Sequence, residues 1–526
     1  MMKNFFLILL FISCSRIVEM ADDSYYEKVD AKTGADHFKV SFSHNINGET
    51  HPCGCRKFPL GGLPQAAGYF HEAKKDSNVI YVDTGDMLFP STTIPESLSQ
   101  SVKFTADKLA EAQDIQGLNY FLPGDQDFAL GVDYLVELSK KTKFTFVISN
   151  TTKTMPIKHR KFVVTKLGDI NLVILGVVDR TLLKQDASNY FYESENAIEE
   201  TLKEVQKLNL KKDKTKLLLL SHSGMKKDKL LAKKFPQFDW IIGSHSQAYL
   251  KEPEAQGNVK IVQVLSRNHY MGEIKIPFNK EQSDSYKLVA ISEDLEKKRP
   301  DNPLIPWLAK YKSDLEAIQA EEQKRLMATA TDSDIKTPTY ISCSQCHDKQ
   351  TKFWQSTAHS LAWQTLVKAK ATNNSQCIEC HSLDFGKPEG FISSEAVVQG
   401  PQLDEKRMDQ YWKEVNTIFK DVHSIRETAS QKRLELAKKW RKVDEKHAID
   451  SNFANVQCMH CHNQHPEHPF QMEDKVVQKD YSNNCIKCHT ADQSPEWYLK
   501  DSNGLATTLN KKYVDEKIKE LSCPKM

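Results

Sequence analysis

Short apolar runs rich in β-branched residues alternate with helical stretches from about residue 38 to residue 291. Runs this apolar, bounded by turn residues, are typical of strands that are covered on both faces. The pattern therefore predicts an α/β region in which helices cover a sheet. The predicted strands are Lys39–Phe42, Val79–Val82, Phe144–Ser149, Asn171–Val178, Leu217–Leu220, Trp240–Ile242 and Val259–Leu265.

A second pattern begins near Pro300. Residues 302–329 and 404–449 are rich in Lys, Glu, Ala, Leu and Gln, which predicts helix. The region around the second stretch has few β-branched runs and no evident apolar core of its own. We predict an α/β domain over 38–295, a helical linker over 296–336, a mostly α domain over 337–500 and a tail over 501–526.

The N-terminus has the pattern of an export signal. Lys3 precedes an apolar run from Phe5 to Ile12, and Ser13-Cys14 follows. We predict a signal over residues 1–14, too short to remain in a bilayer, and a linker over 15–37. Cys14 follows a small residue where bacterial lipoprotein signals are cut, which predicts a lipid anchor on Cys14; ordinary cleavage that removes Cys14 is the alternative. Both predict the bacterial periplasm or cell surface.

The net charge of the chain excludes one class of function. The chain has 72 basic and 70 acidic residues, a formal net charge of +2. A balance this close to neutral argues against a nucleic-acid-binding protein that works through bulk charge. No later stretch is apolar for long enough to form a second membrane segment.

Eight of the 12 cysteines fall in four copies of Cys-x-x-Cys-His. Two thiols three residues apart can add to the vinyl groups of one porphyrin while the adjacent imidazole binds the iron, so each copy predicts a c-type haem. The short gaps between the first and second copies, and between the third and fourth, suggest haems in close pairs. The copies are Cys343, Cys346 and His347; Cys377, Cys380 and His381; Cys458, Cys461 and His462; and Cys485, Cys488 and His489.

The order of these motifs, with Trp354-Gln-Ser-Thr-Ala-His359 after the first, resembles the cytochrome c-554 family of tetrahaem electron carriers. The resemblance implies that His359 lies on a helix as a distal axial ligand, and that His468 is a second one. The chain departs from the family at Asn463-Gln-His465-Pro, where a Gly-Pro-Gly turn is usual, so His465 competes with His468.

Three other histidines remain open. His423 and His447 lie in the charged helical stretch, where a solvent-exposed position competes with a role as a haem ligand. His460 lies inside the third motif, and helical geometry predicts that it points away from its own haem. A haem without a distal ligand could bind a small molecule.

Five segments of the first domain stand in the order found in the calcineurin-like metallophosphatases, particularly the 5′-nucleotidase branch, which they resemble. The resemblance implies a β-sandwich covered by helices, with two metal ions that clamp a phosphate ester and activate water. The segments are Gly61-Gly62-Leu63, Val82-Asp83-Thr84-Gly85-Asp86, Pro123-Gly124-Asp125-Gln126-Asp127, Leu220-Ser221-His222-Ser223-Gly224 and Asp239-Trp240-Ile241-Ile242-Gly243-Ser244-His245-Ser246-Gln247.

When the family's metal ligands are matched to this sequence residue by residue, only the ligands of one of the two metals are present. One metal would be held by Asp86, His222, His245 and Asp125, which replaces a family Asn. The other metal lacks its ligands, because Ser43-His44-Asn45 replaces Asp-x-His and Gln247 replaces a His. Gln126 replaces the catalytic His, and an amide cannot protonate a leaving oxygen. We predict the loss of ordinary phosphoesterase activity; the four residues hold one metal ion or are relics satisfied by hydrogen bonds.

Cys53-Gly-Cys55 follows the altered first segment. With His51 nearby, Cys53 and Cys55 could rebuild the second metal position with softer ligands, or form a thiol site. A closure of the two thiols on each other would be strained.

The sequence thus predicts an exported multihaem electron carrier. We expect a C-terminal domain that is mostly α and carries four c-type haems, a metallophosphatase-like domain with at most one non-haem metal, and redox proteins as partners. No catalytic residue is assigned. The alternatives are a metal-dependent phosphoesterase fused to a cytochrome, and a redox enzyme that acts at a five-coordinate haem.

Overall fold

The structure, a computed structural model, describes residues 26–29, 31–52, 59–329, 336–462, 481–491, 493–500 and 506–524. The predicted signal with Cys14, the thiols of Cys53 and Cys55, and the competing ligands His465 and His468 lie outside the described residues. Within the described residues, no helix is both long enough and apolar enough to cross a membrane.

Two large mixed sheets form the first half of the chain. The six-stranded sheet has the order β13-β12-β2-β3-β4-β5, and the seven-stranded sheet has the order β1-β6-β7-β8-β9-β11-β10. These thirteen strands are β1 (Tyr26–Val29), β2 (His37–Ser43), β3 (Asn78–Asp83), β4 (Tyr120–Phe121), β5 (Thr145–Phe146), β6 (Phe162–Leu167), β7 (Ile170–Val178), β8 (Thr215–His222), β9 (Trp240–Gly243), β10 (Glu254–Gln256), β11 (Val259–Val262), β12 (Tyr270–Pro277) and β13 (Ser285–Ala290).

Helices lie between and after these strands. Those of the first half are α1 (Leu63–Ala73), α2 (Ser99–Gln116), α3 (Val132–Lys141), α4 (Gln185–Ser188), α5 (Ser194–Lys207), α6 (Met225–Lys234) and α7 (Glu293–Glu296). Those that follow are α8 (Leu304–Thr329), α9 (Tyr340–Cys343), α10 (Asp348–Gln355), α11 (Ala362–Ala369), α12 (Ser375–His381), α13 (Glu405–Ile418), α14 (Ser430–Lys446), α15 (Ser482–Cys485) and α16 (Lys511–Glu520). Two small hairpins complete the chain: β14 (Val398–Gln399) with β15 (Ser451–Asn452), and β16 (Tyr498–Lys500) with β17 (Ala506–Leu509).

The two sheets share one apolar core. Along β7, Leu172 and Ile174 face the core that includes Val40 and Phe42 of the other sheet, while Val173 and Leu175 face a second core with α5 and α6. This alternation is what a strand buried on both faces requires. Helices α1 and α2 pack on the far face of the six-stranded sheet. The result is an α/β sandwich with helices outside both sheets.

Two departures from the predicted boundaries stand out. The segment predicted as a linker over 15–37 contains β1, which pairs in parallel with β6. The tail predicted over 501–526 contains β17 and α16. Each segment therefore belongs to the folded body over the residues that form these elements.

The C-terminal half has its own apolar core, contrary to the expectation from sequence. Twenty buried hydrophobic residues form it, and the charged stretch 404–449 supplies several of them. That stretch is two helices, α13 and α14, which pack against each other and bury Tyr411, Val415, Leu436 and Trp440. Most residues of each helix are polar, but each helix has one apolar face that packs into the core.

Helix α8 connects the two halves and packs on both. Near its start, Trp307 stacks on Tyr311, which stacks on Phe104 of α2. Near its end, the carboxylate of Glu322 accepts a hydrogen bond from the Ser101 amide (2.8 Å) at the start of α2. The next residue, Gln323, bonds to the other half: its amide donates to the Asn373 carbonyl oxygen (2.7 Å) and accepts from the Ser394 amide (2.9 Å).

Candidate metal site and haem attachment turns

The structure brings together the four residues predicted to hold a metal ion. Asp86 and Asp125 follow β3 and β4 of one sheet, and His222 and His245 end or follow β8 and β9 of the other. These are parallel strands, so their carboxyl ends open at the same edge, where such folds place ligands. The ligand atoms all lie within 4.8 Å of one another.

Asp125 is the centre of this cluster. Its Oδ1 atom lies 2.8 Å from His222 Nε2 and 3.0 Å from His245 Nδ1, and Asp86 Oδ1 lies 3.4 Å from the same His222 nitrogen. The other nitrogen of His222, Nδ1, donates to the Thr84 carbonyl oxygen (2.8 Å). This bond fixes the imidazole so that Nε2 faces the carboxylates, as the outer partner of a metal-bound histidine does.

The backbone around the cluster is strained. Left-handed φ angles are uncommon for residues other than glycine, and they concentrate in loops that bind or catalyse. Of the thirteen such residues in the described chain, eight lie in the segments that surround the cluster: Asn45, Asn47, Asp86, His245, Gln247, Leu265, Arg267 and Asn268. Neighbouring Gly85 has φ +98°, and a Cβ there would lie 2.4 Å from the Gly124 nitrogen.

Burial and charge set the protonation of the site. Burial alone would lower the pKa of His222, but the carboxylates of Asp86 and Asp125 raise it to about 9. Burial tends to raise the pKa of Asp125, yet the hydrogen bonds from His222 and His245 hold it below its usual range. Burial raises the pKa of Asp86. Without metal, His222 therefore carries a proton between the two carboxylates.

The second metal position of a dinuclear site does not fit these residues. The free oxygen of Asp86, Oδ2, accepts hydrogen bonds from the Asn45 amide (2.8 Å) and from the Gln126 amide (3.1 Å). Two neutral donors thus occupy the oxygen that a bridging carboxylate would offer to a second ion. Ser43 donates to Asp83 (2.5 Å) instead of binding metal.

The amide of Asn45 is held in place by its surroundings. His44 is buried, and its two ring nitrogens contact the Val264 amide (2.8 Å) and Asn45 Oδ1 (2.9 Å). Burial lowers the pKa of His44 to about 3, so the imidazole is neutral. The carboxylate of Asp127 accepts from the amides of Asp86, Leu88 and Gly124 and so supports both ligand loops. Asp127 lies in the same segment as Asp125, and only the structure shows this role.

The residues present fit one divalent ion, held by two carboxylates and two imidazoles. When bound, such an ion would act as a Lewis acid on an oxygen ligand. Gln247 and the other altered positions add no further charged ligand to the cluster of described residues.

We expect Zn²⁺ affinity to fall about tenfold for each pH unit below 9, because His222 must lose its proton to bind a metal. Its raised pKa means that the proton stays on the metal-free site up to about pH 9. The measurement is a chelator competition on the full chain between pH 6.5 and 9. His159→Ala, which removes a partly buried imidazole outside the site, should leave this slope unchanged. A flat pH profile would contradict the assignment of His222 as a ligand.

Each of the four Cys-x-x-Cys-His motifs forms one helical turn, although the type of turn differs. The His amide donates to the carbonyl oxygen of the first Cys at 2.9 Å in the first, third and fourth motifs. The second motif lies within α12. In one helical turn, positions three apart share a face. Each turn therefore presents its two thiols on one side, as attachment to one porphyrin requires, and all eight cysteines are free of disulfides.

Two motif histidines are oriented by hydrogen bonds at Nδ1. His381 Nδ1 donates to the Ala362 carbonyl oxygen (2.7 Å), and His489 Nδ1 lies 2.9 Å from Ser494 Oγ. Such bonds fix the tautomer and leave Nε2 for a metal. The His489 ring also stacks on Trp497, with ring centroids 4.2 Å apart.

The predicted distal ligand His359 lies near the fourth motif. Its ring centroid is 6.3 Å from that of His489, and neither of its nitrogens bonds to another described residue. Burial and the neighbouring imidazoles lower the pKa of His359 to about 4. A neutral imidazole with a free lone pair is the form that binds iron. His359 lies in a short 3₁₀ turn, Ala358–Leu361, between α10 and α11.

The motifs contact one another across long sequence separations as well as short ones. The Cys458 thiol lowers the pKa of Cys343 to about 7, and the Cys488 thiol lowers the pKa of Cys380. The first motif therefore adjoins the third, and the second adjoins the fourth. The third also adjoins the fourth, as their short spacing predicts, since the Cys485 thiol acts with burial to raise the pKa of Cys461.

The three histidines whose roles the sequence left open, His423, His447 and His460, lie in different surroundings. Both nitrogens of His460 are engaged, one by the Gln457 amide (3.0 Å) and one by the Ser382 carbonyl oxygen (3.0 Å), so it closes the third turn. His447 packs against Tyr411 and lies 3.5 Å from Glu414. His423 is exposed. Both nitrogens of His460 are thus held by the protein, whereas the buried Nε2 atom of His447 makes no hydrogen bond within the described residues.

Comparison with known proteins agrees with both resemblances. Residues 342–402 match the family model described as cytochrome c554 and c-prime, a range that includes the first two motifs and His359. The 5′-nucleotidase of Mus musculus is 25% identical over 237 residues, and that of Homo sapiens is 26% identical over 252 residues. The C-terminal part thus matches a cytochrome family, and the N-terminal part has 5′-nucleotidase homologues.

The matches are partial. The mouse comparison covers 39% of this chain and 39% of the relative, and the human one covers 42% of each. The chain therefore spans about two fifths of the length of the curated relatives it matches. Among solved structures, a 5′-nucleotidase precursor from Thermus thermophilus has a TM-score of 0.44 at 16% identity, covering 57% of this chain and 61% of that one. The calcineurin-like phosphoesterase YfkN from Bacillus subtilis has a TM-score of 0.42 at 14% identity, covering 53% and 97%.

Proposed function

We propose that the protein is a multihaem c-type cytochrome that carries electrons through four covalently bound haems. The observation that carries this proposal is the turn that closes each motif, with eight thiols free of disulfides and, at His381 and His489, an Nδ1 contact that leaves Nε2 for iron. The match of residues 342–402 to a cytochrome family supports it for the first two motifs.

When bound, haem supplies a one-electron iron couple. The chain's own residues would do the rest. The Ala362 carbonyl and Ser494 hydroxyl hold two of the proximal imidazoles. Trp497 covers one face of His489 and limits access of water there. The adjacency of the first with the third turn, and of the second with the fourth, favours transfer between those neighbours.

We further propose that His359 and His489 would hold the same haem iron. A metal–imidazole bond is about 2 Å long, so two imidazoles on one ion have ring centroids about 6 Å apart. The observed centroid separation is 6.3 Å. The unbonded nitrogens of His359 support the same assignment.

His359→Ala is expected to convert one of four haems from low spin to high spin while all four stay attached. Removal of the distal imidazole leaves that iron five-coordinate, and the thioether bonds are unaffected. The measurements are electron paramagnetic resonance for spin state and a haem assay for content. His423→Ala, which removes an exposed imidazole of the same half, should leave the spin state of every haem as it is in the natural chain. An unchanged spin state in His359→Ala would exclude it as a ligand, and fewer than four haems in the natural chain would overturn the main proposal.

In the N-terminal part, we propose a single metal site without ordinary phosphoesterase activity. The amides of Asn45 and Gln126 on Asp86 support the loss of the second ion. The second candidate function is a metal-dependent phosphoesterase, which the buried cluster of two carboxylates and two imidazoles favours. Release of phosphate from a nucleotide by the Zn²⁺- or Mn²⁺-loaded full chain would establish the second candidate.

We also propose a cellular location and partners for this protein. The pattern of residues 1–14 supports export to the bacterial periplasm or cell surface, with a lipid anchor on Cys14. Redox proteins are the proposed partners.

A further inference from the structure

A cavity of ≈330 Å³ lies where α8 meets the C-terminal half. Its walls come from α8, α11 and α13 and from the segments around Asn373 and Ser394. The cysteines and histidines of the four motifs are all described, and none of them lines it. A volume of this size is within the range of small-molecule sites.

Two tryptophans form the flat wall of this cavity. Trp363 and Trp412 are stacked, with ring centroids 6.3 Å apart and planes 28° apart. Trp363 is only 2% exposed, and its indole N–H donates to no described residue. The indole N–H groups of Trp354 and Trp440 do find acceptors, at the Val456 carbonyl (2.7 Å) and the Tyr411 hydroxyl (2.7 Å).

The Trp363 nitrogen is not among the buried side-chain atoms that lack a partner, so its N–H is accessible to a ligand in the cavity. Trp412 is partly buried, and its indole N–H likewise donates to no described residue. Flat aromatic walls favour a planar ring through offset stacking. The occupant is therefore a planar ring with hydrogen-bond acceptors at its edge.

The charged residues that line the cavity limit the chemical class of its ligand. No Lys, Arg or His lines the cavity, whereas Glu395 and Asp409 do, and both are exposed at its rim without an ion-pair partner among the described residues. Phosphorylated or carboxylated ligands would meet only negative charge here. A neutral ring with carbonyl oxygens and, in its reduced form, hydroxyl groups matches both the indole donors and the carboxylate acceptors.

The cavity adjoins the second haem turn through one helix. Trp363 directly follows Ala362, whose carbonyl oxygen holds His381 Nδ1 at 2.7 Å. The Thr365 hydroxyl lies 3.0 Å from the same nitrogen. One face of α11 thus holds the proximal imidazole, and the neighbouring face lines the cavity.

We propose that this cavity binds the ring of a quinone and that the corresponding quinol is an electron donor to the haems. This inference rests on the proposed function. The quinol loses two electrons and two protons to become the quinone. Each electron reduces one ferric haem, the first at the His381 turn, and the protons pass to Asp409, Glu395 and then water. The same ring chemistry can come from a lipid-dissolved quinol or a water-soluble one.

Binding is tested first, without electron transfer. Equilibrium dialysis of the oxidised, full-length holoprotein against 2-methyl-1,4-naphthoquinone should show binding that Trp412→Ala weakens at least tenfold. Trp363→Phe, which keeps a flat ring but removes the N–H, should also weaken it. The matched control is Trp307→Phe, because the Trp307 indole already donates to Glu111 and lies far along α8 from the cavity. That variant should bind as the natural chain does.

Stopped-flow haem reduction then tests the donor role. One arm supplies the soluble naphthoquinol, and the other supplies a long-tailed naphthoquinol in phosphatidylcholine vesicles; the arm that reduces haem identifies the source. Trp412→Ala and Asp409→Asn should slow that reduction at least tenfold, while dithionite reduces all variants at equal rates.

Three results would overturn the proposal: absence of quinone binding, binding that Trp363→Phe and Trp412→Ala both retain, and binding without haem reduction by either quinol. Failure of the proposed electron-carrier function gives a different result. In that case dithionite would not reduce the haems, or oxygen would not reoxidise them. Quinone binding could still be measured in that case.

Discussion

Asp125→Ala is expected to lower the affinity of the full chain for its non-haem metal ion about 100-fold or more. Asp125 Oδ1 is the atom that lies within 3.0 Å of both His222 and His245, so the change removes an anionic ligand and the contact that aligns both imidazoles. Loss of even an outer-shell partner commonly costs 10- to 100-fold in metal affinity. The measurement is elemental analysis after dialysis against a chelator series.

Asp125→Asn is the matched control for this experiment. The amide keeps the oxygen and the shape, and Asn is the residue that the resembling metallophosphatases carry at this position. We expect it to retain most of the metal affinity. Haem content should be equal in both variants, because the site lies in the other half of the chain. Full metal occupancy in Asp125→Ala would show that Asp125 is not a ligand, and no non-haem metal in the natural chain would show that the cluster is a hydrogen-bonded relic.

The double change Cys377→Ser and Cys380→Ser is expected to reduce covalent haem from four to three per chain. Both thioether bonds of one haem are lost, and the second turn sits within α12, where Ile378 is fully buried. Haem that no longer anchors α12 should also lower the thermal stability of the C-terminal half. Intact mass and a haem assay measure the first effect, and thermal unfolding measures the second.

Cys523→Ser is the control for the haem count. Cys523 is an exposed cysteine outside the four motifs, so four haems should remain. Four haems in the double variant would mean that the second motif carries none in the natural chain.

The sandwich could be predicted where its strands are apolar throughout. Residues 171–178 and 217–220 lie within β7 and β8, which are buried on both faces. Strands β12 and β13 escaped prediction because polar residues interrupt them. Glu273 of β12 is buried, yet its carboxylate accepts from Tyr69 (2.9 Å) and Lys287 (2.9 Å), a compensation that no local pattern reveals.

The candidate metal site was predictable only through resemblance. Asp86, Asp125, His222 and His245 stand on four strands of two sheets, and nothing in their spacing indicates that their ligand atoms lie within 4.8 Å. The sequence showed that a histidine is missing at Asn45. It could not show that the Asn45 amide bonds to Asp86, because that contact depends on a left-handed backbone at both residues.

The C-terminal core was missed for a different reason. In α14, Leu436 and Trp440 recur one turn apart among lysines and glutamates, so the average composition conceals a continuous apolar stripe. Asp444 shows the same concealment for a polar group: it is fully buried and accepts hydrogen bonds from the hydroxyls of Tyr340 and Tyr411. Burial raises its pKa to about 6.

Adjacent residues of α8 face opposite halves of the protein, and this limits how the chain can change. One added residue ahead of Glu322 would turn the end of the helix by about 100° and advance it by about 1.5 Å. Glu322 would then leave Ser101, or Gln323 would leave Asn373 and Ser394. Helix α8 therefore fixes the rotation of one half relative to the other as well as their separation. An insertion of a whole helical turn would disturb these contacts less than an insertion of a single residue. Exchange of either half with a related protein would have to preserve that rotation.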